Sequence, residues 1–307
     1  MFQRPHHIIS EFASRGWPAF FCTTTGSNVK VADNLFVEWK FADLDFNTPT
    51  LLYITMPTQW KFVDRFKDCV VWYDYIDVLE LFKALGIVEA HKKMLDVADI
   101  VTCTAIDLLE EVLPIREDAV YLPNAASSEI FGISEVPIGG KRPIIGYIGA
   151  VAEWVDWKMV ARLADMKPDW EFVVVGPDYE VQSVARCIEG KENVVRRRHV
   201  PWKVAVGMMK NMDVAIIPFN LNKITHACNP IKMWEYLACD KPVIVTPTRE
   251  CLYNRRYLRI ASTVWEFADA IEAAINEGSI PGQVEWVKSG NLWSHRVDAV
   301  IELVSAL

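Results

Sequence analysis

Residues 217–245 read IPFNLNKITHACNPIKMWEYLACDKPVIV and concentrate the side chains able to do chemistry. A β-branched run ends at Pro218, a polar loop follows, and Asn229-Pro230 opens a helix. Asparagine is a strong N-cap, and proline suits the first helical position. That register puts Lys232 in the first turn, where a cation opposes the helix dipole by roughly 0.3–1 kcal/mol. An anion would offset it, because free backbone N–H groups, a positive helix end and an ammonium group together make a phosphate site. Glu235 falls on the same face by i,i+3 spacing, placed to accept hydrogen bonds from a ribose. The plain alternative is a surface Lys–Glu pair on a structural helix. Thr225 and His226, just ahead of the helix, either reach a phosphate or sugar oxygen or lie in solvent.

Other candidates sit at strand ends. Glu153 and Trp154 follow Gly149 at a strand-to-helix turn, where the indole either stacks on a base or sugar or anchors the turn. Asp74 and Asp77 follow another strand, at the edge where open parallel sheets place their sites. One of them could deprotonate an acceptor hydroxyl, with capping of a helix through 79–85 as the structural alternative. His6 and His7 stand at the start of the first helix, for substrate contact or for capping. Two basic clusters, residues 196–199 (RRRH) and Arg255, Arg256 and Arg259, read as solvated edges or as contacts to anionic lipid head groups. Serine-hydrolase, P-loop and metal-ligand patterns are not found.

The elements that must hold these residues alternate. Strands are expected at 19–23, 51–55, 69–73, 99–104 and 119–122, then at 144–148, 171–175, 194–196, 213–218, 243–246 and 258–262. Several are continuous apolar runs, as when helices cover both sheet faces. Helices at 5–15 and 265–276 end at Gly16 and Gly278. The series breaks once, in the Ser-, Gly- and Pro-bearing stretch between Asn124 and Arg142. The expected fold is α/β: two Rossmann-like domains facing across a cleft, with ligand against the carboxyl ends of both sheets. The domains are placed at 1–130 and 143–290, with a linker at 131–142 and a closing helix in 291–307. Pro5 already occupies a helical N1 position, so the first domain is expected to lack its opening strand.

Composition narrows the partners. With 51% hydrophobic and 23% charged residues, the 307-residue chain is globular. A net charge of −8 argues against nucleic acid as the main partner. Seven scattered cysteines without a CxxC pair point to reduced thiols in the cytoplasm. No apolar run approaches the ~20 residues that span a bilayer.

The 217–245 segment resembles the donor-binding region of GT-B nucleotide-sugar glycosyltransferases of the group 1 type, in a branch with an N-P-x-K-x-x-E-Y-L-A core. Asn229, Pro230, Lys232, Glu235, Tyr236, Leu237 and Ala238 match it as they stand. Arg4-Pro5-His6-His7 resembles that branch's R-P-x-H, and residues 73–77 (YDYID) its Y-D-x-x-D. Leu122-Pro123-Asn124 resembles its I-P-N. Residues 146–156 (GYIGAVAEWVD) and 291–296 (NLWSHR) resemble its G-Y-I-G-A-x-x-E-W-x-D and N-x-W-x-x-R. Relatives commonly carry glutamate eight positions before Glu235, where this chain has Ala227, and glycine where it has Asp240.

The resemblance implies transfer of a sugar from a nucleoside diphosphate to an acceptor hydroxyl, without metal or cofactor. The donor would meet Lys232, Glu235, Asn229, Pro230, Thr225, His226, Gly149, Glu153 and Trp154. Asp74 or His6 would act on the acceptor side. It further implies a glycan or lipid-linked acceptor, surface polysaccharide or glycolipid assembly, and a cytoplasmic enzyme in peripheral contact with the inner membrane face. The alternatives are a non-catalytic nucleotide-sugar or glycan-binding protein, or a sugar-nucleotide epimerase.

Overall fold

The computed structural model describes residues 3–23, 26–82, 84–140, 143–179 and 185–307. The chain divides into two compact units, one of Phe2–Asn124 with Trp293–Leu307 and one of Ala125–Leu292. The linker expected at 131–142 therefore belongs, with the residues before it, to the second unit. The closing helix goes with the first.

The first unit opens with α1 (Arg4–Ser14), followed by β1 (Ala19–Thr23), β2 (Val29–Ala32) and β3 (Leu35–Lys40). Next come β4 (Thr50–Ile54), β5 (Cys69–Tyr75), α2 (Ile87–Val97), β6 (Ile100–Cys103), α3 (Ile106–Val112) and β7 (Val120–Tyr121). These strands make two sheets, where the sequence points to one. The first is three-stranded, ordered β1-β3-β2, with β2 antiparallel to β3. The other is four-stranded, parallel and in chain order β4-β5-β6-β7. β2 and β3 are not among the expected strands. Every residue of β2 is exposed, and its four residues (VKVA) are too few to stand out as a buried strand. The Asp33-Asn34 turn, with Asn34 at φ 60°, was the available signal. The helix expected through 79–85 is instead a single 3-10 turn at Leu79–Leu81, with α2 beginning later.

The second unit carries β8 (Ile144–Ile148), α4 (Trp157–Met166), β9 (Glu171–Val175), β10 (Val194–Arg197), α5 (Trp202–Asn211) and β11 (Val214–Ile217). It continues through α6 (Lys223–His226), α7 (Ile231–Ala238), β12 (Val243–Val245), α8 (Arg249–Tyr253), β13 (Arg259–Ile260), α9 (Val264–Glu277) and α10 (Gln283–Gly290). Its sheet is all parallel, in the order β10-β9-β8-β11-β12-β13. This is the doubly wound order, reversing between β8 and β11. The core strands are buried along their whole length, as their unbroken apolar sequences require.

The last helix, α11 (Trp293–Ser305), packs on α1 in the first unit. His7 stacks on Trp293 with ring centroids 4.9 Å apart, and Arg15 pairs with Asp298 at 2.7 Å.

Candidate functional site

The second unit's site forms where its sheet reverses. β8 and β11 are paired only at Ile145 and Gly146, and beyond them the strands part. The Tyr236 hydroxyl from α7 fills the gap, accepting from the Ile148 N–H at 2.7 Å and donating to the Ile148 carbonyl at 3.2 Å. One side chain thus satisfies the strand end and pins the first turns of α7 to the crevice where doubly wound sheets bind ligands. Asp240 ends α7 at φ 57°, a left-handed position that Asp tolerates. The Lys241 and Asp240 amides close a Schellman motif onto the carbonyls of Tyr236 and Leu237.

Lys232 lies against the end of β8. A side chain at Gly149 would come within 2.6 Å of its Cε, so the ammonium arm occupies the place of a Cβ. Gly176, after β9, is equally constrained: a Cβ there would sit 1.9 Å from the Gly149 carbonyl oxygen. The half-buried Nζ lies 5.1 Å from the centroid of Tyr147 and 5.2 Å from that of Phe219. Among the described residues it makes no ion pair and no hydrogen bond. Burial is the main influence on this lysine and lowers its pKa, with Cys228 and Glu235 opposing the shift.

Glu235 is 7% exposed and accepts a hydrogen bond from the Trp202 indole N–H at 2.7 Å. Burial raises its pKa, while the indole bond and Lys232 act the other way. Its second oxygen has no hydrogen bond among the described residues. Tyr147 lies in the 146–156 motif, whereas Phe219 and Trp202 carry no sequence signal that ties them to this site. They come from different elements, and only the parallel order of the strands brings them to α7.

Three loops meet at this edge. The Val151 amide donates to the Pro177 carbonyl, the Tyr179 amide to Val151, and the Asp156 amide to Pro218. Trp154, half-buried, packs against Tyr179 at 5.0 Å, and Glu153 is exposed with its carbonyl accepting from Asn220 Nδ2. His226 Nδ1 accepts from the Arg249 amide at 3.3 Å, which leaves the ring proton on Nε2.

Other expected contacts are taken up by the fold. Asn229 does not cap α7: Pro230 holds the cap position, and Lys232 falls one place earlier in the helix than expected. The buried Asn229 amide accepts from Trp234 Nε1 at 2.8 Å and donates to Glu250. Thr225 is 1% exposed and spends its hydroxyl on Asn220 and Asn222, closing a capping box at α6.

In the first unit the fold engages both catalytic candidates, to different degrees. Asp74 is fully buried, and both of its oxygens are occupied. Oδ1 accepts from Arg4 Nη2 at 3.0 Å and Thr102 Oγ1 at 2.7 Å, and Oδ2 from Arg4 Nε at 2.6 Å and Tyr53 at 2.8 Å. A carboxylate so occupied has no lone pair aimed at a substrate proton. His6 accepts from the Gln3 amide as part of a capping box and stacks on Phe21 at 5.1 Å. Of the two basic clusters, Arg196 is paired with Asp178 at 2.9 Å and Arg259 with Glu277 at 2.9 Å.

Comparison with known proteins bears on the fold and the family. Residues 142–277 match the family described as glycosyl transferases group 1. That segment is similar to the group 1 glycosyl transferases. The putative teichuronic acid biosynthesis glycosyltransferase TuaH of Bacillus subtilis is 28% identical over 186 residues, covering 55% of this chain. The chain spans only 46% of that relative's length. Among solved structures, the sucrose-phosphate synthase of Thermosynechococcus elongatus superimposes with a TM-score of 0.74 at 13% identity, covering 98% of this chain and 92% of its own. HepE of Anabaena, solved with UDP and glucose, gives a TM-score of 0.66 at 14% identity over 84% of this chain and 78% of its own. The fold is GT-B, and within the matched segment the Lys232–Glu235 face of α7 lies at the sheet's reversal point.

Trp202→Phe tests how Glu235 is held. It removes the indole donor and strands a buried carboxylate, so it is expected to cost about 1–3 kcal/mol in urea denaturation at pH 7. Stability equal to the parent's would show that the bond is dispensable.

Proposed function

We propose that this protein is a glycosyltransferase that moves a sugar from a nucleoside-diphosphate sugar to a hydroxyl of a glycan or lipid-linked acceptor in surface polysaccharide assembly. The observation that carries this is Lys232. A half-buried ammonium group in the first turn of α7, with no carboxylate paired to it among the described residues, is costly unless an anion arrives. A diphosphate fits, because the lysine and the positive helix end both favour the charge that grows on the leaving group. No metal is required in this scheme. Glu235, held by Trp202, keeps one oxygen for a ribose hydroxyl. We place the enzyme in the cytoplasm with peripheral contact at the inner membrane face, consistent with seven unbridged cysteines. Among the described residues no helix is long and apolar enough to cross a membrane.

Thermal unfolding with UDP, GDP, ADP, CDP and dTDP tests the donor site. A nucleotide at ~100 times its Kd adds about 2.7 kcal/mol, a shift of several degrees. One nucleotide is expected to shift the parent and to leave Lys232→Met unmoved. No shift with any of them would overturn the donor assignment. Incubating the donor sugar alone then distinguishes transfer from epimerisation, which needs no acceptor.

A further inference from the structure

Charge is divided unevenly between the two units. The first, residues 2–124 with 293–307, holds 12 lysines and arginines against 20 aspartates and glutamates, whereas the second holds 20 of each. Even the densest cationic stretches of the first unit, residues 61–68 and 89–96, set five cations against four carboxylates. An anionic surface repels that unit as a whole, so attraction has to come from a basic patch elsewhere. Residues 249–259 (RECLYNRRYLR) of the second unit carry four arginines and one acid, Glu250. Glu250 is fully buried and accepts from Asn229 Nδ2, and Arg259 is paired with Glu277 at 2.9 Å. Arg255 and Arg256 are exposed and make no ion pair among the described residues. Beside them, α8 turns Glu250 and Cys251 inward and leaves Leu252 45% and Tyr253 66% exposed. Thr248 caps this helix by accepting from the Cys251 amide at 3.4 Å, and Asn254 Nδ2 donates to the Glu250 carbonyl at 2.8 Å. The turn that presents the two apolar side chains is thus fixed at both ends.

We propose that Leu252, Tyr253, Arg255 and Arg256 form a docking surface for an anionic lipid bilayer, so that the second unit, and not the first, meets the membrane. This rests on the peripheral contact proposed above and names the residues that make it; it does not depend on sugar transfer. The two guanidinium groups attract lipid phosphates, each basic side chain near such a surface contributing about 1 kcal/mol. The leucine and tyrosine beside them enter the head-group layer, where an apolar body with a polar tip is favoured. A soluble polyanion would satisfy the arginines and leave the leucine in water, so the pairing of apolar and basic groups favours a bilayer.

The test is co-sedimentation of the full chain with vesicles of phosphatidylcholine alone or mixed with phosphatidylglycerol. Binding is expected to the mixed vesicles only, and to weaken as salt screens the arginines. Arg255→Gln combined with Arg256→Gln should lower partitioning about thirtyfold, and Leu252→Ser should lower it as well, with thermal unfolding unchanged in both. Lys92→Gln combined with Lys93→Gln, in the first unit, should leave partitioning as it is. No binding of the parent to mixed vesicles would overturn the surface. Equal partitioning of the parent and the double arginine variant would do the same, as would a larger loss in the lysine variant. Binding to soluble polyglucuronate with none to vesicles would also overturn it and give the arginines to an anionic glycan. The nucleotide shift should persist in the double arginine variant, so its absence from the parent would remove the donor site and leave this surface standing.

Discussion

Asp74→Ala is expected to unfold the first unit or to destabilise it by about 3–5 kcal/mol. Arg4 is 3% exposed and holds Asp74 through two parallel hydrogen bonds, the strong bidentate geometry. Its remaining nitrogen donates to Asn124 Oδ1 at 3.2 Å, and its guanidinium lies 5.7 Å from the centroid of the Trp293 ring. Trp72 Nε1 steadies Thr102 at 2.8 Å, and Thr102 in turn donates to Asp74. Removing the carboxylate leaves a buried, uncompensated arginine and strands two hydroxyl donors. Arg4→Met with Asp74→Leu removes both charges and should recover much of the loss, because a buried ion pair is often no better than packed apolar residues. Urea denaturation of the single and double variants checks this. A single variant as stable as the parent would show that the pair carries nothing. The same comparison guards against reading lost activity in Asp74→Ala as lost catalysis.

Asp77→Asn is expected to go the other way and stabilise the protein. The folded carboxyl titrates near 6 against an ordinary value of 3.8, because burial disfavours its charged form. The folded state therefore binds the proton more tightly than the unfolded chain does. Above about pH 6 both states are ionised and the folded one bears the full penalty, on the order of 2–3 kcal/mol. As the pH falls from 6 towards 4 the penalty fades, and below 4 both states are protonated. Asp77→Asn should thus exceed the parent at pH 8 by about that amount and match it at pH 4. Equal stability at pH 8 would mean that the carboxylate is solvated or paired.

Much of this was legible in the sequence because the responsible physics is local. Unbroken apolar runs between helical stretches require a parallel sheet covered on both faces, and β8, β9 and β11 form nearly where those runs lie. The i,i+3 spacing of Lys232 and Glu235 places them on one helix face wherever that helix goes. Asp240 ends its helix in the left-handed conformation, at the position where relatives commonly carry glycine. The departures share a cause too. Asn229 has the right residue type for a cap, yet Trp234 and Glu250 claim its amide. Thr225 is polar and precedes the helix, yet its hydroxyl closes its own turn.

The sequence by itself determined the alternation of strands and helices, the glycine at the end of β8, and a lysine in the first turn of α7. Each depends on residues a few positions apart, where backbone geometry fixes the outcome. Tertiary structure alone decided which groups remain open to a ligand. Arg4 reaches Asp74 across 70 residues and Trp202 reaches Glu235 across 33, whereas Lys232 and Asp77 are left unfilled among the described residues. Burial and hydrogen-bond saturation are properties of neighbours brought together by strand order, and no local pattern encodes them.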